Sequence, residues 1–290
     1  MEKMKDKRQS VCQKNTTAVC GQRVFNCGHS FHGWVGPMLK ELAGAAGIAG
    51  HEFAGTAGVG GGAAVGPYLD HMWGIPDEEN AARMALRAGK VDVLTLSPIW
   101  LPDPGIEKFT KLALENNPAA RVTIQEFWLP NDACDPSYPL KHAAGVNHNK
   151  AAIAELRQRH EPYFQSLEDN VREVNRLCGR PVVSAVPVGH AVLSLREKIV
   201  AGQALPLKEQ EDIFADCVGH PRQPVQALVA YCHFAVIYRR SPVGLPIPGE
   251  EAFPDVWQWQ WKGDWRNSSL HHLLQELAWE AVIHHPLSGI

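Results

Sequence analysis

Hydrophobic positions along this chain fall into short continuous runs separated by longer stretches with helical spacing. Arg23–Cys27 (RVFNC), Val91–Leu96 (VDVLTL), Arg121–Leu129 (RVTIQEFWL) and Pro181–Pro187 (PVVSAVP) are too short for helices and rich in β-branched residues. Each therefore predicts a strand, and Ile48–Phe53 predicts a weaker one. Between them apolar residues recur every three or four positions. Pro37–Ala46 places Met38, Leu39 and Leu42 on one stripe, and Gly105–Asn116 does the same with Ile106, Phe109, Leu112 and Ala113. Asp77–Ala88 opens on acidic residues and closes on Arg87 before Gly89, as the helix dipole favours. Asn147–Leu177 predicts the longest helix, bent or interrupted around Pro162, and His190–Val200, Pro224–Tyr238 and Ser269–Ile283 predict three more. Strands that alternate with helices need crossover connections. The expectation is an α/β fold, a three-layer α/β/α sandwich around a mainly parallel five-stranded sheet.

The segments outside this alternation divide the chain. Residues 1–21 predict a polar, poorly ordered tail, residues 22–245 one domain, and residues 246–290 a tryptophan-rich extension packed on it. In that extension Trp257, Trp259 and Trp261 alternate, so they share one face if extended. Such a face either holds a sugar ring or packs the terminal segment onto the domain. The glycine-rich stretch Ala54–Gly62 lacks the Gly-Lys-Ser/Thr of a phosphate loop and the spacing of a dinucleotide fingerprint. It reads as a loop that lets backbone approach a ligand, or as a plain connection. No cofactor is expected.

Composition narrows the partners. The chain is 45% hydrophobic and 20% charged, ordinary for a globular protein, and its net charge of −3 gives no reason to expect a nucleic-acid partner. No run approaches the roughly 18 apolar residues of a membrane span. Met1–Ser10 is polar with no apolar segment behind it, which fits a cytoplasmic protein or an exported one whose leader is removed. Seven cysteines without regular spacing predict free, mostly buried thiols, with a Cys12–Cys20 bridge open if the protein is exported. Oligomeric state is not legible.

Chemistry concentrates at Arg23–Trp34 (RVFNCGHSFHGW), where a strand stops at Gly28 and a helical pattern starts a few residues later. In open α/β sheets ligands bind outside the carboxyl ends of the strands, so Ser30 is a candidate nucleophile. The competing reading is a helix N-cap. A serine needs a base, and one of fourteen histidines has a telling setting, Asp212-Ile-Phe-Ala-Asp216-Cys-Val-Gly219-His220-Pro221. An acid a few residues ahead of His220, in a loop fixed by glycine and proline, orients the imidazole. Asp216 is the first choice and Asp212 the alternative; His220 as an ordinary loop histidine is the plainer reading. His29 and His32 flank the serine like metal ligands but lack a nearby sulfur or acidic partner, so no metal is expected.

A Gly-x-Ser ending the first strand, a glycine-rich second block and an Asp…His-Pro before the last domain helix together resemble the SGNH (GDSL-type) serine hydrolases over residues 22–245. The resemblance implies a flavodoxin-like sheet and ester hydrolysis through an acyl-serine, with Ser30 as nucleophile, His220 as base and Asp216 as its partner. It implies oxyanion donors from the N–H of Ser30, from Gly58 or Gly60 in the second block, and from the third strand end, where Ser97 stands instead of the family's asparagine. His29 precedes the serine where the family commonly has Asp or Asn, and Cys217 occupies the usual place of the acid. His29, Trp100 and Trp128 are the expected substrate contacts. The expected function is a short-acyl esterase acting on a small or carbohydrate ester. The alternatives are a lipase- or thioesterase-like hydrolase and, from another class, a non-catalytic sugar-binding or scaffold protein on the same fold.

Overall fold

A computed structural model of the chain describes residues 19–58, 68–98, 100–128, 150–216, 219–256, 260–261, 263–266 and 269–290. Five strands, β1 (Arg23–Gly28), β2 (Glu52–Gly58), β3 (Val93–Leu96), β4 (Arg121–Gln125) and β5 (Val183–Val186), form one sheet in the order β2-β1-β3-β4-β5. Every pairing is parallel. Among the described residues eight helices cover it: α1 (Val35–Ala45), α2 (Leu69–Trp73), α3 (Ala81–Arg87), α4 (Pro104–Asn116), α5 (Lys150–Cys178), α6 (Val188–Val200), α7 (Gln223–Tyr238) and α8 (Leu270–His284). This is a three-layer α/β/α sandwich. The strand order reverses between β1 and β3, so the crevice at their carboxyl ends is the topological switch point where such sheets bind ligands.

Alternation along the strands sends side chains to two different cores. Phe25, Cys27, Leu94, Leu96, Val122 and Ile124 face α2, α3, α4 and the later turns of α5. Val24, Val93 and Val186 face α1, α6, α7 and α8. All sixteen residues of α7 are buried, which is why its sequence is apolar all round rather than striped. The face toward α7 is polar at its centre, with Asn26, Thr95, Thr123 and Gln125 nearly inaccessible. Buried polar groups are costly unless bonded. His233 on α7 donates from Nε2 to Gln125 Oε1 at 2.8 Å, and Gln125 Nε2 donates to the carbonyl of Phe31 at 3.1 Å. His32 Nε2 lies 2.8 Å from Thr95 Oγ1.

Several boundaries differ from the sequence expectation, each for a local reason. The second strand runs through Ala54–Gly58, part of the stretch read as a loop. Its glycines serve close packing: a Cβ on Gly58 (φ 111°) would stand 1.9 Å from the carbonyl oxygen of Gly28, and one on Gly55 (φ 130°) would press on the Phe25 ring. Ile48 belongs to the end of α1, its N–H donating to Ala43 O. The helix expected over Asp77–Ala88 is split, because Asn80 accepts from the N–H of Arg83 and caps α3, leaving Asp77–Glu79 as a 3₁₀ turn. α2 is not legible in the sequence. It is held by Asp103, whose carboxylate accepts from Leu69 and Asp70 N–H while also capping α4 through Gly105 N–H. Strand β4 ends at Gln125, and α5 runs through Pro162 without interruption.

The C-terminal segment is part of the domain's core. Leu270, Leu274, Leu277 and Val282 of α8 are buried against α7 and α6. Leu287 O then accepts from Ala185 N–H at 2.8 Å, covering the outer side of β5. Trp265 is buried edge-on to Phe253, and Trp261 donates from Nε1 to Asp212 Oδ1, so these two rings pack the terminal segment. Trp257 and Trp259 lie outside the described residues, as do residues 1–18 of the predicted tail. Cys20 is disulfide-bonded, which overturns the free-thiol expectation there, while Cys27, Cys178 and Cys232 are free. Among the described residues no helix is long and apolar enough to cross a membrane.

Candidate active site

Ser30 stands in the turn after β1, half-buried at the switch point. It does not cap the following helix: that position belongs to Trp34, four residues on. The Trp34 indole N–H instead donates to Ser30 O at 2.7 Å and pins the turn. Across the crevice Ala215 and His220 exchange a backbone bond, Phe214 pairs with Pro221, and Gly219 takes a positive φ of 90° that closes the loop between them. Trp128 donates from Nε1 to Gly219 O at 3.1 Å and fixes this loop from beneath.

That loop aims His220 at the serine. Asp216 Oδ1 accepts from the N–H groups of Gly219 (2.9 Å) and His220 (3.1 Å), leaving Oδ2 to accept from His220 Nδ1 at 2.6 Å. With its proton on Nδ1, the imidazole presents a lone pair at Nε2, and Ser30 Oγ donates to it at 2.9 Å. Burial pushes the Asp216 carboxyl up, but the His220 N–H, the His220 ring and the Gly219 N–H outweigh it and hold the group below its ordinary range. Asp212, the alternative acid, accepts instead from Lys208 and Glu209 N–H and from Trp261.

Aromatic packing sets the plane of the His220 ring. Phe31, the residue after the serine, lies parallel to the His220 ring at 4° with centroids 5.0 Å apart, an offset stack. Phe127 and Trp128 meet Phe31 edge-on at 5.3 and 5.0 Å. The Gln125 bond to Phe31 O ties this box to β4, and His233 orients Gln125 from behind. Sequence reading missed Phe31, Gln125 and His233; an amide and an imidazole in otherwise apolar runs were the available signal.

His29 and Trp128, expected as substrate contacts, are buried rather than open to the crevice. Trp128 is buried under the His220 loop. His29 is buried against Ser97 and Phe31, and burial, then the neighbouring His32 and His220 rings, push its pKa down to about 3. The ring is therefore neutral. Phe31 N–H donates to Nδ1 at 3.3 Å, so the proton sits on Nε2 and is donated to Ser97 Oγ at 3.0 Å. Ser97 then accepts from His29 and keeps its own hydroxyl proton to donate. It lies close to the Ser30 turn, its Cβ 2.9 Å from where a Gly28 side chain would begin. Gly58 ends β2 in register with Gly28. Gly60 lies outside the described residues, and Trp100 is half-buried against the core on the α7 side.

Comparison of the chain with protein-family models, with curated proteins and with solved structures finds no match.

Proposed function

We propose that this chain is a serine ester hydrolase of the SGNH type, acting on a short-acyl ester of a small or carbohydrate alcohol. The observation that carries the reading is the unbroken hydrogen-bond line from Ser30 Oγ through His220 to Asp216, at 2.9 and 2.6 Å. In this mechanism Ser30 Oγ attacks the ester carbonyl while His220 Nε2 takes its proton. Asp216 holds the Nδ1 tautomer and stabilises the imidazolium. The tetrahedral oxyanion is met by backbone N–H groups of Ser30 and Gly58 and by the hydroxyl of Ser97, the donor whose orientation His29 fixes. His220 returns the proton to the departing alkoxide, leaving an acyl-serine. Water, deprotonated by His220, then attacks the acyl carbon, and the proton passes from His220 to Ser30 Oγ as the Oγ–acyl bond breaks and the acid leaves.

Hydrolysis of p-nitrophenyl acetate by wild type and Ser30→Ala tests the reading, alongside covalent labelling by a fluorophosphonate. The expected result is turnover and labelling in wild type and neither in the variant. Equal rates for the two proteins would overturn the assignment.

A further inference from the structure

Away from the serine, a second cluster of titratable groups joins four distant parts of the chain. Glu126 directly follows β4 and its carboxylate is fully buried. His190 in the first turn of α6 brings Nδ1 to 2.9 and 3.1 Å from the two carboxylate oxygens, and its backbone N–H lies 3.3 Å from one of them. His285, held by the segment that follows α8, places Nε2 3.1 Å from Glu126 Oε1 and 3.6 Å from Glu168 Oε1 of α5. One donor atom from each of Glu126, His190 and His285 lies within 4.8 Å of the other two.

We propose that Glu126, His190 and His285, with Glu168 as the fourth ligand, bind one divalent transition-metal ion of the zinc class. Zinc bonds to imidazole and carboxylate at about 2.0–2.2 Å, so neighbouring ligands of a tetrahedral site stand about 3.3–3.6 Å apart. The separations of 2.9, 3.1 and 3.6 Å bracket that edge, so small rotations of these side chains admit the ion. Two imidazoles with carboxylates suit zinc and its neighbours, whereas magnesium and calcium favour oxygen alone.

A separate observation points the same way. His285 Nε2 is buried 3.1 Å from Glu126 Oε1 without a well-aligned hydrogen bond to it. A poorly satisfied buried imidazole nitrogen is costly, and an ion between the ligands would supply a better partner. An entry path exists as well. A cleft of about 260 Å³ is lined by Glu168, His190, Ser194, His284 and His285. Arg157, the cation at its rim, is engaged by Glu197 at 2.8 Å. Metal at Nε2 requires the His285 proton on Nδ1, which now accepts from Leu287 N–H at 3.1 Å. That contact must open on binding, which makes the Leu287 amide a local reporter.

Zinc titration of the chelator-stripped full chain, in competition with a chromophoric chelator, tests the site, and cobalt in its place reports coordination by its absorption. The expected result is one ion per chain with a submicromolar Kd, a four-coordinate cobalt spectrum and a shifted Leu287 amide resonance. Affinity should fall by about 100-fold or more in His285→Gln. Because a variant at buried His285 risks losing the fold, half-exposed His190→Gln is the second variant, with the same loss expected. Millimolar binding by wild type would overturn the proposal. So would binding that survives undiminished in folded His190→Gln, since the ion would then sit on an exposed histidine such as His272 and the cluster would be a buried ion pair only.

Discussion

Two histidine–carboxylate pairs sit at the carboxyl edge of one sheet, and they are built for opposite ends. Asp216 and His220 lie four residues apart in one loop, and the carboxylate is 41% exposed. Glu126 and His190 come from different elements, and that carboxylate is wholly buried. Asp216 serves one imidazole, whose far nitrogen meets Ser30. Glu126 faces two, hydrogen-bonded to His190 and in contact with His285 at 3.1 Å. Its hydrogen bond and charge overcome the desolvation that opposes them and raise the pKa of His190. An imidazole that keeps its proton has no lone pair to offer a hydroxyl. On the proposed reading the same two functional groups would give a general base where the carboxylate is local and partly wet, and a clamp or an ion site where it is deeply buried and shared.

The largest expected effect separates the pairs outright. Ser30→Ala should lower kcat by about 10⁴-fold or more while leaving the unfolding midpoint near wild type, because the hydroxyl's partner is the half-exposed His220. Next come the two carboxylates, exchanged for amides. Asp216→Asn should cost about 10³-fold in kcat through loss of the correct tautomer, but less than about 1 kcal/mol of stability, since the pair is largely at the surface. Glu126→Gln should do the reverse, destabilising by about 3–5 kcal/mol because it breaks a buried ionic cluster. Urea unfolding beside ester hydrolysis checks both. A destabilised Asp216 variant with normal turnover would undo the contrast. Smaller again, Ser97→Ala should reduce kcat by about 10²-fold with KM little changed, the behaviour of a donor used in the transition state. A rise in KM alone would mark Ser97 as a ground-state contact.

What was legible in the sequence follows the same division between local and distant. The alternation of short β-branched runs with helical stripes is a local signal, and it located four of the five strands and most helices, while the second strand was caught only at Glu52 and Phe53. Ser30 was legible because a glycine stop marks a strand-to-helix turn, and Asp216 with His220 because they share one short loop. Gly55 and Gly58 misled because their purpose, approach to Phe25 and Gly28 on the neighbouring strand, lies outside their own segment. Glu126 passed as a polar position in RVTIQEFWL, and no spacing links residues 126, 190 and 285. Asn26, Thr95, Thr123 and Gln125 read as interruptions of apolar strands. In the folded chain they are one polar band beneath the Ser30 turn, visible only once β1, β3 and β4 are side by side.

That band makes the last prediction, on pH. His29 and His233 have pKa values pushed down to about 3, and His32 lies well below its ordinary value, chiefly because burial opposes the charged ring. In the unfolded chain each titrates near 6.5. Between pH 6.5 and 4.5 the unfolded state therefore binds protons that the folded state refuses, so stability falls as pH falls, by up to about 1.4 kcal/mol per pH unit for each of these histidines. Glu126 and His190 of the other cluster act mainly outside this window. Glu126, held near 2, contributes stability above the unfolded carboxyl value of 4.5 and loses it only below that value. His190, raised above 6.5, is protonated in both states below 6.5, and what it contributes is lost as pH rises through its folded value. His233→Gln keeps a donor for Gln125 Oε1 but cannot take a proton. Urea unfolding of wild type and His233→Gln at a series of pH values should show the slope reduced by one histidine's share. Parallel slopes would mean that the band admits protons, and that the turn beneath Ser30 rests on charged rather than neutral imidazoles.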